Sequence, residues 1–251
     1  MMEKCEYKVM YDIEQTYWWF IGKQFLVKTF LKKLRRGRTK DTRILDIGCG
    51  TGIILKLLTP FGTPYGAEYS SAAIQFSKDR GLSLIACSDA NGPMPFKSNT
   101  FSVITCLDVL EHLDNDTSLL KEMLRMCKAG GHVIITVPAL HILWSAHDVA
   151  LDHKRRYTKR QILAEMSHLD AQVIKFTYYN AALLLPIFAV RRIRAALGHQ
   201  KDVRSDFFMR MPGWLNTLLT RLFVFEIGCL KHLDLPLGVS LLLILQKPYR
   251  T

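Results

Sequence analysis

"RILDIGCGTG", residues 43–52, is a strand-length apolar run that opens into glycine at positions 48, 50 and 52. Glycine lets the backbone turn sharply and lets a ligand approach backbone N–H groups without meeting a Cβ. The dinucleotide-binding pattern G-x-G-x-x-G would require glycine at position 53, where the chain has Ile53. The alternating D-x-G-x-G-x-G run that starts at Asp46 is therefore a different turn. The residues around it must say which ligand it serves.

Outward from that turn, strand-like and helix-like segments alternate. "PYGAEYS", "LSLIACSD", "FSVITCLDVL" and "GGHVIITVP" are short apolar runs of strand length. Between them, "GIILKLL", "SAAIQFSKDR" and "DTSLLKEMLRMCK" read as helices, the last ended by Gly130 and Gly131. "AQVIKFTYYN" and "GVSLLLILQKP" supply a sixth strand and a last one, expected to pair. This pattern predicts an α/β domain over residues 43–251: a mostly parallel sheet of about seven strands, covered by helices on both faces. Residues 1–42 form an N-terminal helical cap, and a helical insertion of about residues 179–237 precedes the last strand. In such sheets ligands bind beyond the carboxyl ends of the strands. There the chain places Glu68 after the second strand, Asp89 after the third, and Asp108 and Glu111 after the fourth. A carboxylate at 68 can accept both hydroxyls of a ribose, and one at 89 can meet an adenine edge.

Together these residues resemble the class I S-adenosylmethionine-dependent methyltransferases, from about Arg43 to Pro138. The resemblance implies a Rossmann-like fold, S-adenosylmethionine as cofactor and S-adenosylhomocysteine as product. It gives Gly48, Gly50 and Gly52 to the methionine and ribose parts, Glu68 to the ribose and Asp89 to the adenine. Asp46 would orient the turn and Asp108 would sit near the methionine end. Cys49, Tyr69, Ala90 and Leu107 complete the expected cofactor contacts. His112, in "LEHL", is read as a structural histidine, and no metal centre is expected.

"WSAHDVALDHKRRY", residues 144–157, leaves the fifth strand above the expected transfer site and reads as a loop without structure of its own. Thr158 with Gln161 is a capping-box pattern that starts a helix with Ile162, Leu163, Met166 and Leu169 on its apolar face. Trp144 is expected to tether the near end by burying its ring. In a functional reading, His147 is the general base on an acceptor hydroxyl and Asp148 orients it. Arg155 and Arg156 clamp an anionic acceptor, and Tyr157 offers a hydroxyl and a ring. In the alternative, the stretch is a salt-bridged lid that touches no acceptor. "WSAHD" with "HKRRYT", together with "YWWF" at 17–20, looks like a branch of methyltransferases associated with cell-surface or lipid-linked glycan synthesis. That branch adds Trp18 and Trp19 to the acceptor site, and it has Arg where this chain has Lys23.

The formal charge is +12 over 251 residues, and it is unevenly spread. Residues 44–138 hold seven Lys/Arg against nine Asp/Glu, a net −2, which leaves +14 on the flanks. Such flanks suit an anionic partner or a solvated face. Six cysteines without a C-x-x-C pair read as reduced thiols, with Cys49, Cys87 and Cys106 in core surroundings. With no apolar leader, a cytoplasmic chain is expected. The apolar segments of the insertion, broken by Arg191, Arg192, Arg194, Arg221 and Lys231, suit a packed subdomain, a homodimer contact, or peripheral contact of residues 182–235 with the inner membrane face. The leading expectation is methyl transfer, at oxygen, to a small-molecule or lipid-linked acceptor (a glycan or phosphate-bearing one), with no nucleic acid as partner. The alternatives are a nucleic-acid methyltransferase, prompted by "KKLRRGRTK" at 32–40, and a non-catalytic S-adenosylmethionine-binding protein.

Overall fold

A computed structural model describes residues 4–34, 42–196 and 211–249. Its strands are β1 (Arg43–Ile47), β2 (Thr63–Glu68), β3 (Ile85–Cys87), β4 (Phe101–Leu107), β5 (Cys127–Pro138), β6 (Gln172–Tyr179) and β7 (Ser240–Gln246). They form one sheet in the order β3-β2-β1-β4-β5-β7-β6. The first five run parallel, and β7 lies antiparallel between β5 and β6. The strand order reverses between β1 and β4, so the crevice for a ligand opens at their carboxyl ends.

The helices are α1 (Lys4–Ile13), α2 (Trp18–Leu34), α3 (Ile53–Leu58), α4 (Ser71–Asp79), α5 (Asp116–Met126), α6 (Ala146–Ala150), α7 (Lys159–Met166), α8 (Leu184–Ala196) and α9 (Gly213–Leu230). The period-two alternation of the strands sends neighbouring residues to opposite faces. On one face Ile104, Ile135 and Leu243 pack with Met123 of α5 and Ile162 of α7. On the other, Val103, Ile134 and Leu242 pack with Leu26 and Phe30 of α2 and Phe223 and Ile227 of α9. Both faces of the central strands are buried, which is why their sequences are nearly continuous apolar runs.

The insertion is stitched to the N-terminal helices. A Cβ on Gly22 would lie 1.9 Å from the Phe223 ring, so only glycine lets α2 and α9 come this close. The Asn216 side chain accepts from the Trp18 N–H at 2.9 Å and donates to the Thr16 carbonyl at 2.8 Å. Glu226 accepts from the N–H groups of Asn180, Ala181 and Ala182, closing the turn after β6. Helix α9 of the insertion thus packs into a core it shares with α2 and the sheet. The outer side of the insertion leaves Leu185, Trp214 and Phe225 exposed. No helix among the described residues is long and apolar enough to cross a membrane. Residues 197–210, within the segment expected to touch a membrane, and 35–40 of the basic run lie outside the described residues.

Three local expectations are corrected. Residues 144–157 carry a helix of their own, α6, started by a capping box of Ser145 and Asp148. On α7 the Thr158–Gln161 capping box forms as expected, but Leu163 is 46% exposed while Ile162 and Met166 are buried. Cys87, on the edge strand β3, is exposed, unlike Cys49 and Cys106.

Candidate functional site

The glycine turn after β1 adopts left-handed backbone at Gly48, Gly50 and Gly52. Their surroundings differ. A Cβ on Gly50 would meet only the Gly48 carbonyl, at 4.0 Å, so this point faces open space. One on Gly52 would lie 2.6 Å from Ser77 Oγ and 2.8 Å from Leu82, so Gly52 lets the start of α3 pack against the α4 region. Glu68 holds the turn from the neighbouring strand. It is 7% exposed, and its two oxygens accept from the Gly50 N–H at 2.9 Å and the Ser70 N–H at 2.8 Å. A carboxylate has about four lone-pair positions, so two remain for hydroxyls. Beneath the turn, Asp46 accepts from Thr105 Oγ1 at 2.6 Å, and burial pushes its pKa up to about 7.

A cavity of about 470 Å³ opens above the turn, within the usual size of a small-ligand pocket. Asp46, Gly48, Cys49, Gly50, Glu68, Tyr69, Asp89, Ala90, Leu107 and Asp108 all line it. Gly52 is not among its described lining residues. Asp89 folds back on its own loop, accepting from the backbone and side-chain N–H groups of Asn91. Open glycine backbone, a buried carboxylate with spare acceptor capacity and a cavity of this size fit a nucleoside-bearing cofactor.

Several residues of this cavity were not singled out in the sequence. Tyr7, Met10 and Glu14 reach it from α1 and the turn after it. Their spacing of three and four places them on one helical face, which is a readable signal. Glu14 is buried, accepts from Thr51 Oγ1 at 2.5 Å and pairs with Arg80, which latches α1 to the glycine turn. Lys23, also in the lining, is 5% exposed and meets Asp108 Oδ2 at 2.6 Å, Thr136 Oγ1 at 2.7 Å and the Tyr179 hydroxyl at 2.8 Å. Burial opposes its charge, but Asp108 and then Tyr179 outweigh burial, and its pKa stands above the usual lysine value. Asp108 has φ 55° and also accepts from Thr136 Oγ1 at 2.9 Å.

A second cavity of about 130 Å³ adjoins the first and shares Trp19, Asp108, Leu151 and His153 with it. Trp18, Trp19, His147 and Arg156 line this side cavity, with Glu111 and Arg191. The remaining residues of the "WSAHD" stretch are placed differently. Asp148 is fully buried; its oxygens meet Arg156 Nε at 2.8 Å, a terminal Arg156 nitrogen at 3.1 Å and His153 Nδ1 at 3.0 Å. Burial would raise its pKa, but His153, Arg156 and Arg191 together hold it well below the usual carboxylate range. Arg156 also donates to the Ala139 carbonyl at 3.0 Å. Arg155 reaches Asp116 and the Leu113 carbonyl, and the Tyr157 hydroxyl donates to Asp116 at 2.6 Å. Neither Arg155 nor Tyr157 is among the described residues lining either cavity.

Residues 45–135 match the family model described as "Methyltransferase domain". Residues 45–135 are a class I S-adenosylmethionine-dependent methyltransferase domain. The chain is 28% identical over 140 residues to the "Probable tRNA methyltransferase 9B" of Mus musculus, covering 55% of this chain and 28% of that protein. It is 30% identical over 112 residues to a ubiquinone biosynthesis O-methyltransferase of Alkalilimnicola ehrlichii, covering 40% of this chain and 43% of that one. The chain thus spans less than half the length of either relative. The fold matches the structure of the complex between the Haloferax volcanii Trm112 methyltransferase activator and a methyltransferase, with a TM-score of 0.61 at 14% identity over 99% of this chain and 95% of that one. The expectation that nucleic acid is no partner is corrected by these findings, since a tRNA methyltransferase name and a Trm112 complex stand among the similar proteins. The methyltransferase domain itself is as the sequence resemblance implied.

Proposed function

We propose that the protein is an S-adenosylmethionine-dependent methyltransferase whose acceptor is a nucleic acid. The similarity of the chain to the "Probable tRNA methyltransferase 9B" carries the choice of acceptor, and the +14 charge on the flanks supports it, because phosphate backbones are held by Lys and Arg. The cofactor supplies a methyl group on a positively charged sulfur. Gly50 offers open backbone, and Glu68 keeps acceptor capacity for ribose hydroxyls while pinning the turn. Lys23 fixes Asp108 at the wall between the two cavities, which sets where the methionine end lies. Trp19, at the same wall, presents a ring on which an acceptor base can stack. In this reading the side cavity admits the acceptor atom, and proximity with alignment does most of the catalytic work. His147 borders that cavity and stands as the candidate base, carried by α6, whose start Asp148 caps.

A second reading keeps a small-molecule or lipid-linked acceptor, methylated at oxygen. It is favoured by the narrowness of the side cavity, about 130 Å³, and by the O-methyltransferase relatives. One experiment separates the two. The protein is incubated with methyl-labelled S-adenosylmethionine and a cell extract, which is then divided into RNA and solvent-extractable fractions. Label that stays with RNA and is released by ribonuclease is the expected result. Label confined to solvent-extractable material would replace the first reading with the second.

A further inference from the structure

We propose that Glu111, His112 and His153 form a binding site for a divalent transition-metal ion at the junction of the two cavities. Each presents a ligand atom, and these atoms lie within 4.8 Å of one another. This replaces the sequence-based expectation of no metal centre, and it does not depend on which acceptor the enzyme uses.

The environment of each group is that of a ligand. Glu111 is fully buried, and neither of its carboxylate oxygens has a hydrogen-bond partner. A buried carboxylate without partners is costly, and a bound cation is one of the few groups that would repay it. His153 Nε2 lies 3.9 Å from Glu111 Oε1, which leaves room for an ion rather than making a hydrogen bond. Burial, then Asp108, pushes the Glu111 pKa well above the usual carboxylate value; Lys23 and Arg156 oppose this only in part, because they hydrogen-bond Asp108 and Asp148 instead.

The histidines are oriented from behind. His112 Nδ1 lies 3.2 Å from the Asp152 carbonyl, which can only accept, so Nδ1 carries the proton and Nε2 carries the lone pair. His153 Nδ1 lies 3.0 Å from Asp148, held as a carboxylate, so the same tautomer follows. A carboxylate behind one imidazole and a carbonyl behind the other is the usual outer support of metal-bound histidines.

Two imidazoles and one carboxylate suit Zn²⁺ or a similar borderline ion, with at least one position open. That position faces the cavities: His112 and His153 line the larger one, Glu111 and His153 the smaller. An oxygen or nitrogen of an acceptor held there lies beside Asp108, at the end of the cofactor cavity.

The test uses tag-free protein stripped with a chelator and titrated with Co²⁺, followed by visible absorption, and with Zn²⁺, followed by calorimetry. One ion per chain with ligand-field bands is the expected result. His112→Ala, Glu111→Gln and His153→Ala should each weaken Co²⁺ binding at least about 100-fold, the upper end of what outer-shell changes alone produce. His153 also supports Asp148, so His112→Ala, whose ring leans on a backbone carbonyl, keeps the test decisive if His153→Ala does not fold. Absence of saturable one-to-one binding in the parent protein, or unchanged affinity in folded His112→Ala, would overturn the proposal. Binding of S-adenosylhomocysteine, measured on the same samples, reports separately on the methyltransferase reading.

Discussion

Removing the Asp148 carboxylate should cost the fold far more than it costs cofactor binding. The group is fully buried, holds Arg156 through both oxygens at 2.8 and 3.1 Å, and holds His153 at 3.0 Å. It also accepts from the Ser145 N–H at 2.9 Å as part of the α6 capping box. Arg156, itself 5% exposed, keeps one carbonyl partner when the carboxylate is gone. Breaking a buried ion pair from one side costs about 3–5 kcal/mol, and Asp148→Ala should lose an amount in that range. Replacing both partners, Asp148→Leu with Arg156→Met, should recover much of the loss, because no charge is then stranded. The assay is urea unfolding at pH 7 followed by far-UV circular dichroism, with S-adenosylhomocysteine affinity measured beside it. The depressed pKa adds a signature. Stabilisation by Asp148 is fully present above the unfolded carboxylate pKa of about 3.9 and is lost as pH falls through the lower folded value. This part of the acid limb should be missing from the Asp148→Ala variant. A loss below about 1 kcal/mol, typical of an exposed pair, would refute this account of the 144–157 stretch.

Three further outcomes are expected. Glu68→Ala removes the acceptor that pins Gly50 and Ser70 and the ribose hydrogen bonds proposed for it; calorimetry should show S-adenosylhomocysteine binding weakened by about 2–4 kcal/mol, and unchanged affinity in the folded variant would remove Glu68 from the site. Gly22→Ala sets a Cβ into the Phe223 ring, so thermal or urea unfolding should show a loss of about 1–3 kcal/mol from overpacking; adding Phe223→Leu should relieve part of it, and a neutral single variant would contradict the α2–α9 packing. In metal-free protein His112 takes its proton only near pH 4, whereas in the unfolded chain it does so near the ordinary value of about 6.5. The unfolded state therefore binds more protons between these values, and stability should fall as pH drops through that window. Melting temperatures of the parent and His112→Gln between pH 7 and pH 4 check this, with a shallower slope expected in the variant.

What could be read from the sequence was what local pattern encodes. The glycine turn, the acids at strand ends and the Thr158 cap are set by neighbours a few residues away, and the sheet follows from strand alternation. The pairing of Lys23 with Asp108 and of Glu14 with Arg80 joins segments far apart in the chain, and no periodicity announces such contacts. Asp148 and Arg156 are only eight residues apart. Even so, the sequence left open whether that arginine faces an acceptor or its own loop. Leu163 was misread because α7 buries a narrower stripe than its apolar spacing suggests, and Cys87 because β3 is an edge strand.

The position of β7 constrains the order in which the chain can assemble. β6 has no partner in the sheet except β7, and β7 must enter between it and β5. The bed for Phe223 at Gly22 likewise joins residues about two hundred positions apart. During synthesis the tryptophan-rich face of α2 is made long before α9, which covers it. Contacts of such long sequence separation slow folding and lengthen the exposure of apolar surface. The nascent chain, rather than the finished fold, is then the form most in need of protection from aggregation.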